Sequence, residues 1–138
     1  MAARYSRLGE HGACWLVLGA AGAAMQPAKR EAWLRGAAVV VAAYALNYAV
    51  KLAVRRPRPE LPGLPALSPV VSRLSFPSAH ATTSFAAARA YAGLVPATAL
   101  YGPAILFGIT RPYLGVHYPS DVLFGAALGT SIAAGWPQ

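Results

Sequence analysis

Three short clusters concentrate the side chains able to do chemistry. "KLAVRRPRP" carries Lys51, Arg55, Arg56 and Arg58; "PSAH" carries Ser78, Ala79 and His80; "RPYLGVHYPSD" carries Arg111, His117 and Asp121. Such a set suits a phosphoryl group. In transfer its negative charge spreads over the equatorial oxygens, and fixed cations around it stabilise the transition state. Lys51, Arg58 and Arg111 supply three cations. The arginines are forks that bind oxygens bidentately, and the lysine is a point charge. Ser78 Oγ and the Ala79 N–H, at a helix start, add neutral donors.

Taken singly, each cluster has a plainer explanation. "RRPRP" reads as a polybasic stretch facing anionic lipid. Ser78, after Pro77, reads as a helix cap. His117 could be an interfacial histidine satisfied by a carbonyl, and Asp121 a carboxylate favoured by a helix N-terminus. Their joint occurrence in an apolar chain is what argues for a site, because ionisable groups in or near a membrane are costly and default to function.

The chain is apolar throughout. Hydrophobic residues make up 57% and charged residues 12%, the latter roughly half the share of a soluble protein. With a mean hydropathy of +0.44, this composition implies an integral membrane protein. At 138 residues the chain has room for one domain, 1–138. The net charge of +8 could suggest nucleic acid, but the twelve Lys and Arg lie in short stretches between apolar runs, as juxtamembrane charges do. No nucleic-acid partner is expected. Cys14, the single cysteine, cannot form an internal disulfide.

Five apolar runs can position the clusters: 8–25, 32–54, 78–95, 97–110 and 120–136. The expected fold is all-α, an integral membrane bundle of about five transmembrane helices with its active site at one membrane face. The segment 55–77 is too rich in proline to be one helix. Spanning the hydrocarbon takes about 20 helical residues, which the second run meets and the last three approach only with their flanks. "GLVP", 93–96, reads as a tight helical hairpin. Arg4 and Arg7 before the first run imitate a signal peptide, but Glu10 and His11 interrupt that layout. Following the chain back and forth, the N-terminus, the 55–77 segment and the 111–119 segment share one face. "QPAKRE" and "GLVP" lie opposite. Arg89 is expected to snorkel to that opposite interface, and Trp15, Trp33 and Trp136 to be interfacial or packing aromatics.

The spacing Lys51-x6-Arg58-Pro59, Pro77-Ser78-Ala79-His80, Arg111-x5-His117-x3-Asp121 resembles the three-part signature of the type 2 phosphatidic acid phosphatase superfamily. That superfamily also contains vanadium haloperoxidases and glucose-6-phosphatase. The resemblance implies catalysis by His117 as nucleophile, Asp121 as the acceptor fixing its tautomer, and His80 as acid and base. It implies phosphate binding by Lys51, Arg58, Ser78, Ala79 and Arg111. Two departures are Ala79 where the family usually has Gly and Thr110 where it usually has Ser. Ala79 is tolerable if the position needs only its N–H and not a positive φ.

No cofactor and no metal are expected. The chain has four carboxylates, Glu10, Glu31, Glu60 and Asp121, whereas a two-metal site needs several oxygen ligands at one place. "RLGEHGACW", "SFPSAHATTS" and "GVHYPSDVLFGAALG" further resemble a small actinobacterial branch of the superfamily. That branch implies removal of the 5-phosphate from a polyprenyl-phosphate-linked ribose, a step toward the arabinose donor of the cell wall. His11 and Glu10 would be possible headgroup contacts. Undecaprenyl pyrophosphate, phosphatidate and phosphatidylglycerophosphate are alternative substrates, and a catalytically idle membrane scaffold is the non-enzyme alternative. A haloperoxidase is disfavoured, since those are soluble and much larger. Membrane lipids and a lipid-phosphate substrate are the expected partners. The expected location is the cell membrane, multi-pass, with the active site facing the cytoplasm.

Overall fold

The computed structural model describes residues 12–60, 67 and 72–137. Among these residues the fold is all-helical. Helix α1 spans Ala13–Met25, α2 Arg30–Val54, α3 Ala79–Ala90, α4 Ala97–Tyr113 and α5 Pro119–Ala134, with a short 3-10 turn at Pro27–Lys29 between α1 and α2. Only isolated strand-like pairings occur among the described residues, Pro57 with Leu74 and Ala92 with Val95. Glu10, His11, Arg4 and Arg7 lie outside the described residues, as does most of the proline-rich stretch 61–71.

Helix α3 is the hub. Its sequence, "AHATTSFAAARA", has small side chains on nearly every face, and most of them are buried. This lets α5 approach closely: a Cβ on Gly129 would collide with the Thr82 carbonyl, and one on Gly125 would lie 2.8 Å from the Ser78 carbonyl oxygen. Polar side chains register the other neighbours. Asn47 of α2 donates to Thr82 Oγ1 at 2.9 Å, and Trp15 Nε1 of α1 donates to Ser84 Oγ at 2.9 Å. The Tyr91 hydroxyl, just past α3, donates to the Trp15 carbonyl at 3.0 Å. Trp15 and Trp33 are both buried and pack the core rather than an interface.

The sequence-derived boundaries shift in two places. The third run is helical only over Ala79–Ala90, because Tyr91 and Gly93, with φ +86°, turn the chain toward α4. Arg89 therefore stands, exposed, in the last turn of α3. The fourth run continues past 110, so that Arg111 is helical instead of in a loop; Pro112 is accommodated inside α4, and the helix stops at Tyr113 before Gly115, with φ +70°.

Among the described residues one helix, Pro27–Val54 including the 3-10 turn, is long and apolar enough to cross a membrane. The 12 residues of α3 reach only about 18 Å at about 1.5 Å per residue. The hydrocarbon layer is about 30 Å thick. The outer faces are nonetheless greasy. Val17, Leu34, Val41, Leu52, Ile109 and Leu123 are all exposed.

Candidate active site

The site lies where the loop after α2, the N-termini of α3 and α5 and the C-terminus of α4 meet. Backbone hydrogen bonds assemble it. Arg55 turns the chain out of α2 with φ 53°, and the Arg56 carbonyl then accepts from Ser75 N at 2.8 Å. The Ser75 hydroxyl donates to the Pro57 carbonyl at 2.8 Å. Ser78 N donates to the Asp121 carbonyl at 3.0 Å, and Val116 N to the Arg111 carbonyl at 3.2 Å. All three sequence clusters are thereby held together.

At the centre, His117 Nδ1 stands 3.3 Å from Asp121 Oδ2. An ionised carboxylate can only accept, so Nδ1 carries the proton and Nε2 keeps its lone pair. Nε2 lies 3.4 Å from Arg58 Nη1. Burial pushes the His117 pKa down to about 4, against the raising effect of its hydrogen bond to Asp121, and the Arg58, Arg111 and Lys51 charges add to the lowering. His117 is therefore a neutral imidazole at pH 7, the form a nucleophile needs.

Asp121 is fully buried. Its Oδ2 also accepts the Tyr118 N–H at 2.9 Å, closing the first turn of α5. Its Oδ1 accepts from Arg56 Nη1 at 3.0 Å. Arg56 is the residue that sequence reasoning misses, grouping it with the lipid-facing basic charges. Its neighbours Arg55 and Arg58 offer no contrast, and only the fold reveals which arginine meets the carboxylate.

The expected phosphate ligands come to the same region, several of them with backbone duties as well. Lys51 Nζ donates to the carbonyls of Leu74, Ser75 and Pro77 at 3.2, 3.3 and 3.0 Å, and so shapes the turn leading into "PSAH" while its charge acts on His117. Arg58 donates through Nε to the Ser72 carbonyl at 2.7 Å and through Nη1 to the Val116 carbonyl at 2.6 Å. Arg111 is buried in the last turn of α4. Ser78 is the cap that its position suggested: its Oγ accepts from Ala81 N at 3.4 Å, and its hydroxyl still has a proton to donate. Among the described residues Arg55 is the only non-glycine with positive φ. Ala79 thus adopts an ordinary helical conformation and loses nothing by having a Cβ. His80 occupies the first turn of α3, half-buried, its ring centroid 6.4 Å from that of Phe107. Among the described residues no three His, Cys, Asp or Glu side chains converge as metal ligands would.

The PAP2 superfamily profile matches residues 32–138, and the chain belongs to that superfamily. It is 48% identical over 122 residues to the decaprenylphosphoryl-5-phosphoribose phosphatase of Mycolicibacterium smegmatis, covering 87% of this chain and 67% of that one. The protein of the same name from Mycobacterium tuberculosis is 42% identical over 132 residues, covering 94% of this chain and 73% of its own. A transmembrane PAP2-type phosphatidylglycerolphosphate phosphatase from Bacillus subtilis, solved by crystallography, superposes with a TM-score of 0.75 at 26% identity. That match covers 96% of this chain and 71% of the other.

Proposed function

We propose that the protein is a multi-pass membrane phosphatase, a single domain, which hydrolyses a lipid-linked phosphomonoester through a phosphohistidine on His117. The observation that carries this reading is the His117–Asp121 pair at 3.3 Å, with Nε2 turned toward Arg58, 3.4 Å from its Nη1. Asp121 holds the Nδ1 proton and stabilises the imidazolium-like charge that develops on attack. The Nε2 lone pair forms an N–P bond while the bond from phosphorus to the leaving oxygen breaks. Arg58, Arg111 and Lys51 stabilise the equatorial oxygens, aided by the Ser78 hydroxyl and the Ala79 N–H. His80 gives its proton to the leaving oxygen. In the second half-reaction water attacks phosphorus and yields a proton to His80. The N–P bond then breaks, freeing inorganic phosphate and restoring neutral His117. No reactant besides water is consumed.

The substrate that fits is decaprenylphosphoryl-5-phosphoribose, acted on at its 5-phosphate. The two curated relatives, with similarity running along 87% and 94% of this chain, bear that name. The chemistry agrees. A terminal monoester presents the free oxygens that three cations can bind, whereas the phosphodiester joining ribose to lipid does not. The apolar outer faces of the bundle offer the lipid tail a place beside the helices while the sugar phosphate reaches the interface.

Phosphate release by detergent-solubilised protein tests the reading. The panel is decaprenylphosphoryl-5-phosphoribose, soluble ribose 5-phosphate, undecaprenyl pyrophosphate, phosphatidate and phosphatidylglycerophosphate. The expected result is cleavage of the 5-phosphate with the diester left intact, and poor turnover of the soluble sugar. Comparable kcat/KM on ribose 5-phosphate, or preference for the pyrophosphate, would overturn the substrate. Release from none of the panel would overturn the enzyme and leave a scaffold.

A further inference from the structure

Arg56 lies outside the signature that defines the site, yet it bonds directly to the carboxylate of the catalytic pair. Its Nη1 donates to Asp121 Oδ1 at 3.0 Å and to Ser120 Oγ at 2.9 Å. Its guanidinium lies over the Tyr118 ring, 3.9 Å from the centroid. Those three partners are consecutive with Pro119 in the turn that follows His117 and opens α5. The backbone of Arg56 is itself fixed, its carbonyl accepting from Ser75 N at 2.8 Å. Arg56 thus bridges the loop before "PSAH" and the loop bearing the nucleophile.

We infer that Arg56 is a positioning residue for the phosphoryl transfer: clamped between Tyr118 and Ser120, it holds the Asp121 carboxylate ionised and oriented toward His117. The inference rests on the phosphatase reading above. A carboxylate wholly removed from water is costly unless its oxygens are bonded and its charge is balanced. The Tyr118 N–H and His117 Nδ1 occupy Oδ2; Arg56 occupies Oδ1 and supplies the balancing charge. A planar guanidinium can donate to a carboxylate and stack on an aromatic ring at once, which a lysine ammonium does not reproduce.

The charged groups facing the pair set the sign of the effect. They are Lys51 from α2, Arg58 from the loop, Arg111 from α4 and Arg56. Removing one positive charge beside Asp121 leaves the field at His117 more negative, so its protonation midpoint rises. The tests are steady-state kinetics on the lipid-linked monoester and ¹⁵N NMR titration of the His117 ring, run on Arg56→Gln, Arg56→Lys and His117→Ala. Arg56→Gln should lower kcat by about tenfold or more, the scale set by second-layer partners of active groups, with little change in KM. Its His117 midpoint should move upward. Arg56→Lys should keep the midpoint close to wild type, because the charge stays, while losing part of kcat, because the fork and the stack are gone. Wild-type kcat and midpoint in Arg56→Gln, with His117→Ala inactive, would overturn the role of Arg56 and leave the phosphatase reading standing. Activity in His117→Ala would overturn that reading instead. A fall in kcat with an unmoved midpoint in Arg56→Gln would mean that Arg56 only props the loops, and would likewise overturn the inference.

Discussion

The Ser78 N–H donates to the Asp121 carbonyl at 3.0 Å, tying the cap of α3 to the first turn of α5. The turn at Ser78, proposed to bind phosphate, and Asp121, partner of the proposed nucleophile, are therefore placed by one backbone contact between two helix starts. That contact exists only because Gly125 and Gly129 let α5 lie against α3.

Helix approach is thus the first thing to test. A Cβ at Gly129 would meet the backbone of Thr82, and one at Gly125 would lie 2.8 Å from Ser78 O and 3.0 Å from Thr82 Oγ1. Gly129→Ala should destabilise the fold by about 1–3 kcal/mol, the usual cost of overpacking. Gly125→Ala should also depress activity, since the displaced atoms belong to the turn at Ser78. Gly102→Ala is the control. Nothing lies within 4 Å of its added Cβ, and a helical Gly→Ala change should be neutral or stabilise by roughly 0.5–1 kcal/mol. Thermal unfolding in detergent reads all three. Equal melting temperatures for Gly129→Ala and Gly102→Ala would contradict the packing.

His117→Ala should abolish turnover, since it removes the covalent route outright. Asp121→Asn should cost orders of magnitude but less than His117→Ala, because it disturbs tautomer and charge rather than the nucleophile; each tenfold is about 1.4 kcal/mol of barrier. Residual activity above a tenth of wild type in His117→Ala would sink the assignment. Phosphate release, with folding checked by size-exclusion chromatography, makes the comparison.

Much of this site is legible in the amino-acid sequence. The identities and spacing of Lys51, Arg58, Ser78, His80, Arg111, His117 and Asp121 follow from charge chemistry and motif alone. So does the helical character of the apolar runs, because alanine-rich stretches between prolines have little else to become. Helix ends are less legible. Arg111 and Tyr113 are helical although Pro112 lies between them in the last turn of α4, which a rule that breaks helices at proline misjudges. Arg56 is invisible in the sequence for another reason: its role is a long-range contact, 65 residues from Asp121, and no local pattern distinguishes it from Arg55. The several duties of Lys51 are hidden likewise, because hydrogen bonds to backbone carbonyls leave no mark on residue type.

His117 should stay neutral well below the pH at which an ordinary histidine protonates. Burial and the Arg58, Arg111 and Lys51 charges disfavour the imidazolium and hold its pKa at about 4. As the deprotonated form is the proposed nucleophile, its share should be nearly complete above pH 5 and fall as pH drops through about 4. In ¹⁵N NMR spectra the signal lost in His117→Ala should keep a neutral, Nδ1-protonated signature at pH 6. A midpoint near 6.5, the unperturbed value, would show that the site is wetter or less positive than its geometry implies.

Turnover should survive EDTA, because fixed cations of the chain supply the positive charge that a metal would otherwise bring. Vanadate should inhibit competitively with the lipid phosphate, as a trigonal-bipyramidal mimic held by the same arginines. Arg58→Gln should weaken vanadate inhibition together with catalysis, since one fork serves both. A strict Mg²⁺ requirement of the enzyme itself, or vanadate inhibition unaffected by that substitution, would count against the mechanism.

The last prediction concerns which side of the membrane the site faces. Leaving out the proposed phosphate ligands, Arg4, Arg7, Arg55, Arg56 and Arg73 fall on the site side of the sequence-derived topology, with Lys29, Arg30, Arg35 and Arg89 opposite. Positive charge favours the cytoplasm, so the count of five against four predicts a site facing it. Two of those charges are already engaged: Arg56 with Asp121 at 3.0 Å, and Arg35 with Glu31 at 3.6 Å. Discounting both leaves the same direction with four against three. In a Cys14→Ser background, Leu64→Cys should resist a membrane-impermeant thiol reagent in intact cells and label after permeabilisation. Ala28→Cys, in the exposed turn between α1 and α2, should label without permeabilisation. The reverse pattern would turn the protein over in the membrane, and the 5-phosphate would then have to be presented from outside.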